Sequence, residues 1–372
     1  MRKRLGGIVV VAALAGGLVG WLLYGRALSG TPDGVAQALA DAGPRRAGAL
    51  EDTGAGPTAA TLPPDAEPLK AVPCELSTLL EEYRKGRASP SYRRYVREQL
   101  RGLVESLPAE PLWSRLLSER DPELLAVVAE AWVLRYTVSN DGAVVARLVE
   151  HLNQERDPRL RATLVRALAH TGEPSTELLG DRVLKGQDVY RDWVKDASSE
   201  VRAAAVENFR EEAARNFGRF RGVAEKAVAL AAVAEDPATA AGLLTATSIE
   251  AAGGAAVAKV RGLLQSSEHP EVRAAAARAL ATSPVSELPG SLDALAARYA
   301  AETDRSVKSA LLESLSRLGL TKAVPVLQRL RETDPAMRAE VDGWLALLAT
   351  RPQTWDLLDK ARRARDAQAQ RP

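Results

Sequence analysis

Apolar positions across most of the chain fall at a repeated set of offsets, three, seven, ten and eleven residues after a small polar or acidic residue. Leu124, Val128, Ala131 and Trp132 follow Asp121 in this way. Leu160, Leu164, Ala167 and Leu168 follow Asp157, Val272, Ala276, Ala279 and Leu280 follow His269, and Met337, Val341, Trp344 and Leu345 follow Asp334. At 3.6 residues per turn these offsets trace one face of a helix, so each stretch predicts an amphipathic helix with a buried seam. Seven such stretches begin at Asp121, Asp157, Ser198, Asp236, His269, Asp304 and Asp334, spaced 30 to 41 residues apart. Between them, shorter apolar-periodic segments at 143–152, 222–234, 255–264, 291–301 and 322–331 predict partner helices. A drifting period in this range predicts stacked helical hairpins. The fourth unit, with Thr239, Leu243, Ala246 and Thr247, is degenerate and reads as a bend or a lapse in register.

The starts carry their own signals. Asp or Ser accepts a free backbone N–H at a helix N-terminus, and five of the seven units place Pro at the first helical position. Composition agrees: 46% of residues are hydrophobic but only 4% aromatic, so Ala, Leu and Val supply the core and little sheet is expected. The predicted fold is all-α, an α-solenoid of stacked hairpins over 73–350. Leu76–Lys85 and 91–107 form an initial capping hairpin, and 351–372 form a terminal helix and a basic tail, DKARRARDAQAQRP, read as solvated.

The first 72 residues read differently. Arg2, Lys3 and Arg4 precede twenty uncharged residues, 5–24, long enough as a helix to cross about 30 Å of hydrocarbon. Residues 1–29 are therefore expected to be a transmembrane anchor with a cytoplasmic N-terminus, which places the main domain outside the cytoplasm, in a periplasmic setting. A cleaved signal peptide ending near Ala27-Leu28-Ser29 is the competing reading, with secretion as its consequence. Residues 30–72, rich in Gly, Pro and Ala, read as a flexible tether with an r.m.s. reach of roughly 35–40 Å.

Charge narrows the partners. Lys+Arg 50 against Asp+Glu 48 leaves a net of +2, and 73–372 carries 43 basic and 42 acidic residues. Proteins that grip phosphate backbones carry a marked basic excess, so no nucleic-acid partner is expected. The single cysteine, Cys74, excludes an intrachain disulfide and a Cys-clustered zinc site. No metalloprotease, P-loop, nucleophile-elbow or EF-hand pattern occurs, and each of the three histidines, His151, His170 and His269, has a local structural explanation. The expectation is a chain that is not an enzyme and takes no cofactor and no metal. Among the tryptophans, Trp132 and Trp344 read as core, whereas Trp113, Trp193 and Trp355 are less committed.

The openings Asp157/Pro158/Arg161, Ser198/Val201/Arg202, Pro270/Val272/Arg273, Asp304/Val307/Lys308 and Asp334/Pro335/Arg338, followed by Ala-rich helices, resemble the HEAT-repeat family. The resemblance covers about 120–350. It implies that the basic residue four after the cap reaches the cap acid of a neighbouring repeat, a ladder that Leu125 and Ala240 interrupt. It also implies that the second helices line a concave surface offered to a protein partner. The rival reading is a lyase-like enzyme or enzyme-accessory protein with a polar groove. Nine residues after each cap, about 240° round the helix from the seam's first residue, stand Glu130, Arg166, Glu207, Thr245, Arg278 and Glu313. These are expected to be exposed, a mixed-charge track suited to a protein and not to phosphate, with Glu130, Arg166, Glu207, Arg278 and Glu313 as its partner-binding residues.

Overall fold

The computed structural model of the chain describes residues 76–86, 89–103, 108–171, 183, 188–216 and 221–369. All of them belong to one unit, Lys70–Pro372, and no strand occurs among them. The expected anchor, 1–29, and tether, 30–72, lie outside the described residues. No helix among the described ones is long and apolar enough to cross a membrane.

The array opens with the predicted hairpin, α1 (Leu76–Lys85) and α2 (Pro90–Leu103). Antiparallel pairs follow: α3 (Ala109–Ser118) with α4 (Pro122–Ser139), α5 (Gly142–Gln154) with α6 (Pro158–Ala167), and α7 (Val189–Val194) with α8 (Ser199–Asn216). The next are α9 (Arg221–Ala231) with α10 (Pro237–Ala246), α11 (Gly254–Ser266) with α12 (Pro270–Leu280), α13 (Leu288–Ala301) with α14 (Arg305–Gly319), and α15 (Val324–Thr333) with α16 (Arg338–Leu348). A last helix, α17 (Trp355–Ala369), closes the series. The first member of each pair belongs to an A layer and the second to a B layer. Each B helix packs on the next in an unbroken run from α4 to α16, and α2 abuts α4 at the start. The result is an all-α, HEAT-like solenoid.

Local chemistry explains the registration. The Asp121 carboxylate accepts the Glu123 N–H at 3.0 Å, Asp157 the Arg159 N–H at 2.8 Å, Asp236 the Thr239 N–H at 2.8 Å and Asp304 the Ser306 N–H at 2.8 Å. These contacts satisfy donors that a helix N-terminus leaves open. Every predicted seam residue is buried except Thr247 and Leu345, which are half-buried. Burying one leucine fully is worth about 1.5–3 kcal/mol, and in an array that gain depends on the neighbouring repeat being folded. Trp113 and Trp193 join the core, with the Trp113 ring 4.7 Å from Trp132 and tilted against it, and Trp193 set edge-on to Tyr190.

The fourth unit keeps its place in the run of B helices. Thr239, Leu243 and Ala246 are buried, and α10 packs on both α8 and α12. Its small residues let successive B helices approach: a Cβ on Gly242 would lie 3.0 Å from Val206 Cγ1 on α8. The degenerate seam is thus a close contact filled by its neighbours.

The basic ladder forms, with a variation. Lys308 reaches the next cap acid, Asp334, at 2.7 Å, and Arg202 reaches Asp236 at 3.6 Å. Arg161 and Arg273 instead reach acids two residues ahead of the next cap, Asp196 and Glu302. Arg338 bonds only the Arg331 carbonyl, at 3.4 Å. The acid two residues before the cap has a second task. Glu119 accepts the N–H groups of Arg120 and Asp121, Glu155 those of Arg156 and Asp157, and Glu302 those of Thr303 and Asp304, all at 2.8 to 3.0 Å. Each carboxylate clamps the turn that aims a B helix, and Arg120 adds a rung by reaching Glu155 at 2.6 Å.

A candidate partner-binding ridge

The B helices carry the track of residues expected to be exposed, and the structure divides it into three parts. In the middle, Arg166 on α6, Thr245 on α10 and Arg278 on α12 are exposed, and Glu207 on α8 is half-exposed. Arg166 Nε donates to Glu207 Oε2 at 2.7 Å, linking adjacent repeats. Thr245 turns its hydroxyl back to the Ala241 and Gly242 carbonyls, at 3.0 and 3.1 Å.

The first residue of the track departs from expectation. Glu130 is buried, 3% exposed, because α2 lies over it. Arg101 Nε donates to Glu130 Oε1 at 2.8 Å, Arg97 Nε stands 3.3 Å from Oε2, and His170 Nδ1 stands 3.8 Å from Oε1. Arg215 on α8 extends the network, donating to His170 Nδ1 at 3.1 Å and to Glu211 at 2.9 Å. A guanidinium has no lone pair to offer, so His170 Nδ1 acts as the acceptor and the imidazole is neutral. Burial, then the charges of Arg215 and Arg101, lowers the His170 pKa, outweighing the opposing pull of Glu130 and Glu211. A cavity of about 330 Å³ opens beside this network, lined by Arg97, Glu123, Glu130, Arg166, His170 and Glu211 among others.

The last residue of the track is also covered. Glu313 on α14 accepts from Arg362 of α17 at 2.9 Å. The tail read as solvated is therefore helical, part of Trp355–Ala369, and rests on the array along one side while its other side stays exposed. Arg317 donates to Asp359 at 2.8 Å, Arg365 donates to the Gly343 carbonyl at 2.9 Å, and the Arg362 guanidinium lies 5.1 Å from the Trp344 ring. Leu358 is buried, but Trp355 and Leu357 stay about half exposed.

The free ridge therefore runs from Arg166 through Glu207 and Thr245 to Arg278. It is bounded by the buried Glu130 network at one end and by the chain's own helix at the other. Periodicity along one helix placed these side chains on a face, but could not show which faces α2 and α17 would cover. Among the described residues no group of three or more His, Cys, Asp or Glu is arranged to hold a metal ion.

No curated protein matches the chain. The family model of HEAT repeats matches residues 224–316 and 257–346. Those spans run from α9 into α16, the stretch in which the Arg273–Glu302 and Lys308–Asp334 rungs and the Arg278 part of the ridge lie. Residues 224–346 of this all-α solenoid thus match the HEAT-repeat model.

Proposed function

We propose that the chain is a membrane-tethered scaffold that presents the B-helix ridge to a protein partner outside the cytoplasm. HEAT repeats suggest a helical scaffold for protein interaction, and the observation that carries the finer reading is the free stretch of ridge, Arg166, Glu207, Thr245 and Arg278 on four successive B helices. Charges of both signs alternate along it, a pattern that selects a partner by complementarity and steers its approach. The tether rests on sequence: Arg2, Lys3 and Arg4 before the uncharged run 5–24, then the Gly-, Pro- and Ala-rich 30–72.

Reversing Arg166 and Arg278 together to Glu tests the ridge. The Arg166–Glu207 pair is exposed, and such pairs contribute about 0–1 kcal/mol, so the double variant keeps its fold. Circular dichroism and the unfolding midpoint check that point. Partners captured with the tagged full chain from detergent-solubilised membranes are expected to be lost in the variant. Retention of the same partners, with loss on reversing an A-layer charge such as Lys259, moves the binding face to the A layer. Recovery of the chain in the soluble cytoplasmic fraction contradicts the tether alone.

A further inference from the structure

A second site lies away from the ridge, at the edge where B helices end and A helices begin. A cavity of about 450 Å³ opens between the start of α3, the end of α4 and the start of α5. Its wall is largely apolar, from Ala109, Trp132, Val138, Ala143 and Val144, and two cations, Arg135 and Arg147, complete it. Val138, beyond the buried α4 seam, stands 55% exposed at this wall.

Arg147 is held as a recognition arginine is held. Its guanidinium lies 4.4 Å from the Trp113 ring and 5.7 Å from the Trp132 ring, and Trp132 is itself fixed by donating Nε1–H to the Val144 carbonyl at 2.8 Å. Stacking on an aromatic face fixes the plane of the fork and leaves its edge to bind a carboxylate with two N–H groups. In this structure that edge is taken by Glu110: Nη1 donates to Oε1 at 2.8 Å and Nη2 to Oε2 at 3.3 Å. The Glu110 side chain is 72% exposed, so it can swing into water at little cost. Asp141 also lines the cavity, but its carboxylate is committed to capping α5 through the Ala143 N–H at 2.9 Å.

We infer that this cavity binds the carboxylate of a ligand with an apolar body, the carboxylate displacing Glu110 from the Arg147 fork while the apolar part lies against Val138, Val144 and Trp132. Glu110 is then an internal competitor that occupies the fork when no ligand is present. Two sources share this chemistry, the C-terminal carboxylate of a peptide and a small free acid. A cavity of this volume is within the range that encloses small-molecule ligands.

The test uses the full chain and three probes in isothermal titration: a short apolar peptide with a free C-terminus, the same peptide amidated, and phenylpropionate. The free-acid peptide is expected to bind and the amide to bind at least about tenfold more weakly, the loss of one charge-assisted contact. Binding by phenylpropionate as well assigns the site to free acids in general; its failure beside a binding peptide assigns it to peptide C-termini. Arg147→Gln is expected to abolish the preference for the acid. Glu110→Gln is expected to tighten acid binding severalfold, which a merely structural ion pair would not do. Equal binding of acid and amide, no binding by any probe, or an unchanged affinity in Glu110→Gln overturns the inference, with circular dichroism showing that both variants are folded.

Discussion

Arg273 of one repeat and Glu302 at the turn into the next form a two-pronged ion pair, Nε to Oε2 at 2.8 Å and Nη2 to Oε1 at 2.9 Å. Arg298 donates to the same carboxylate at 2.9 Å, and both oxygens are buried with it. Burial alone raises the pKa of a carboxyl group. Here the bonds from Arg273, Arg298 and the N–H groups of Asp304 and Thr303 outweigh it and hold Glu302 at about 2. The acid that clamps the turn is thus also the acid that receives the ladder.

A carboxyl held below its unfolded value contributes stability above that value and loses it as pH falls through the folded one. For Glu302 the window runs from about 4.5 down to about 2, and the contribution lost across it is on the order of 3 kcal/mol. Chemical denaturation of Glu302→Gln at pH 7 and pH 3 is expected to show a smaller fall in stability than the natural chain shows. Glu302→Ala, which strands the buried Arg273 and the half-buried Arg298, is expected to cost about 3–5 kcal/mol at pH 7. Equal acid sensitivity in Glu302→Gln and the natural chain contradicts this role.

His170 works in the same pH direction, in a higher window. Its folded pKa lies below the ordinary 6.5, so the unfolded chain binds the proton more readily and stability rises with pH through the window below 6.5. Denaturation midpoints are expected to fall as pH drops from 7.5 to 5.5, well above the Glu302 window. In His170→Gln that fall is expected to shrink. A variant whose profile matches the natural chain in this range removes His170 as the cause.

The terminal helix α17 is lightly held. One leucine, Leu358, is fully buried, and its polar contacts are partly exposed pairs worth about 0–1 kcal/mol each, against the ordering of fifteen residues. Native-state hydrogen exchange is expected to show α17 opening well before α14, and Leu358→Ala to speed exchange in α17 without changing it in α12. Equal protection of α17 and α14 contradicts a separable strap.

The seam is the most demanding part of the array. Leu164, fully buried on α6, is expected to cost about 2–5 kcal/mol as Leu164→Ala. The loss should weaken the neighbouring α4 and α8 in exchange as well, since stability in an array is shared between adjacent repeats. A loss confined to α6 argues against such coupling.

Much of this was legible in the residues. The seam offsets from Asp121 to Asp334 found the B helices because a buried face must recur with the helical period, and Asp121, Asp157, Ser198, Asp236 and Asp304 cap their starts, whereas His269 makes no cap bond and α16 begins only at Arg338, after a 3-10 turn. The spacing Glu119-Arg120-Asp121, repeated at Glu155-Arg156-Asp157 and Glu302-Thr303-Asp304, was a readable signal for the clamped turn, though the ladder drew attention to the caps instead. The burial of Glu130 and the covering of Glu313 were not legible, because both depend on where α2 and α17 cross the B layer. Hydrophobic period says which side of a helix is core, not which neighbour overlies its polar side. α3 and α7 were missed as partner helices, α7 being a single short run, Val189–Val194.

Site-specific photo-crosslinking in living cells tests the ridge most directly. A photoreactive residue placed at Thr245 or Arg278, exposed on B helices, is compared with one at Lys259, exposed on the A-layer helix α11. The account predicts discrete protein adducts from Thr245 and Arg278, abolished by reversing Arg166, and none from Lys259. Adducts from Lys259 with none from the two ridge positions would contradict it.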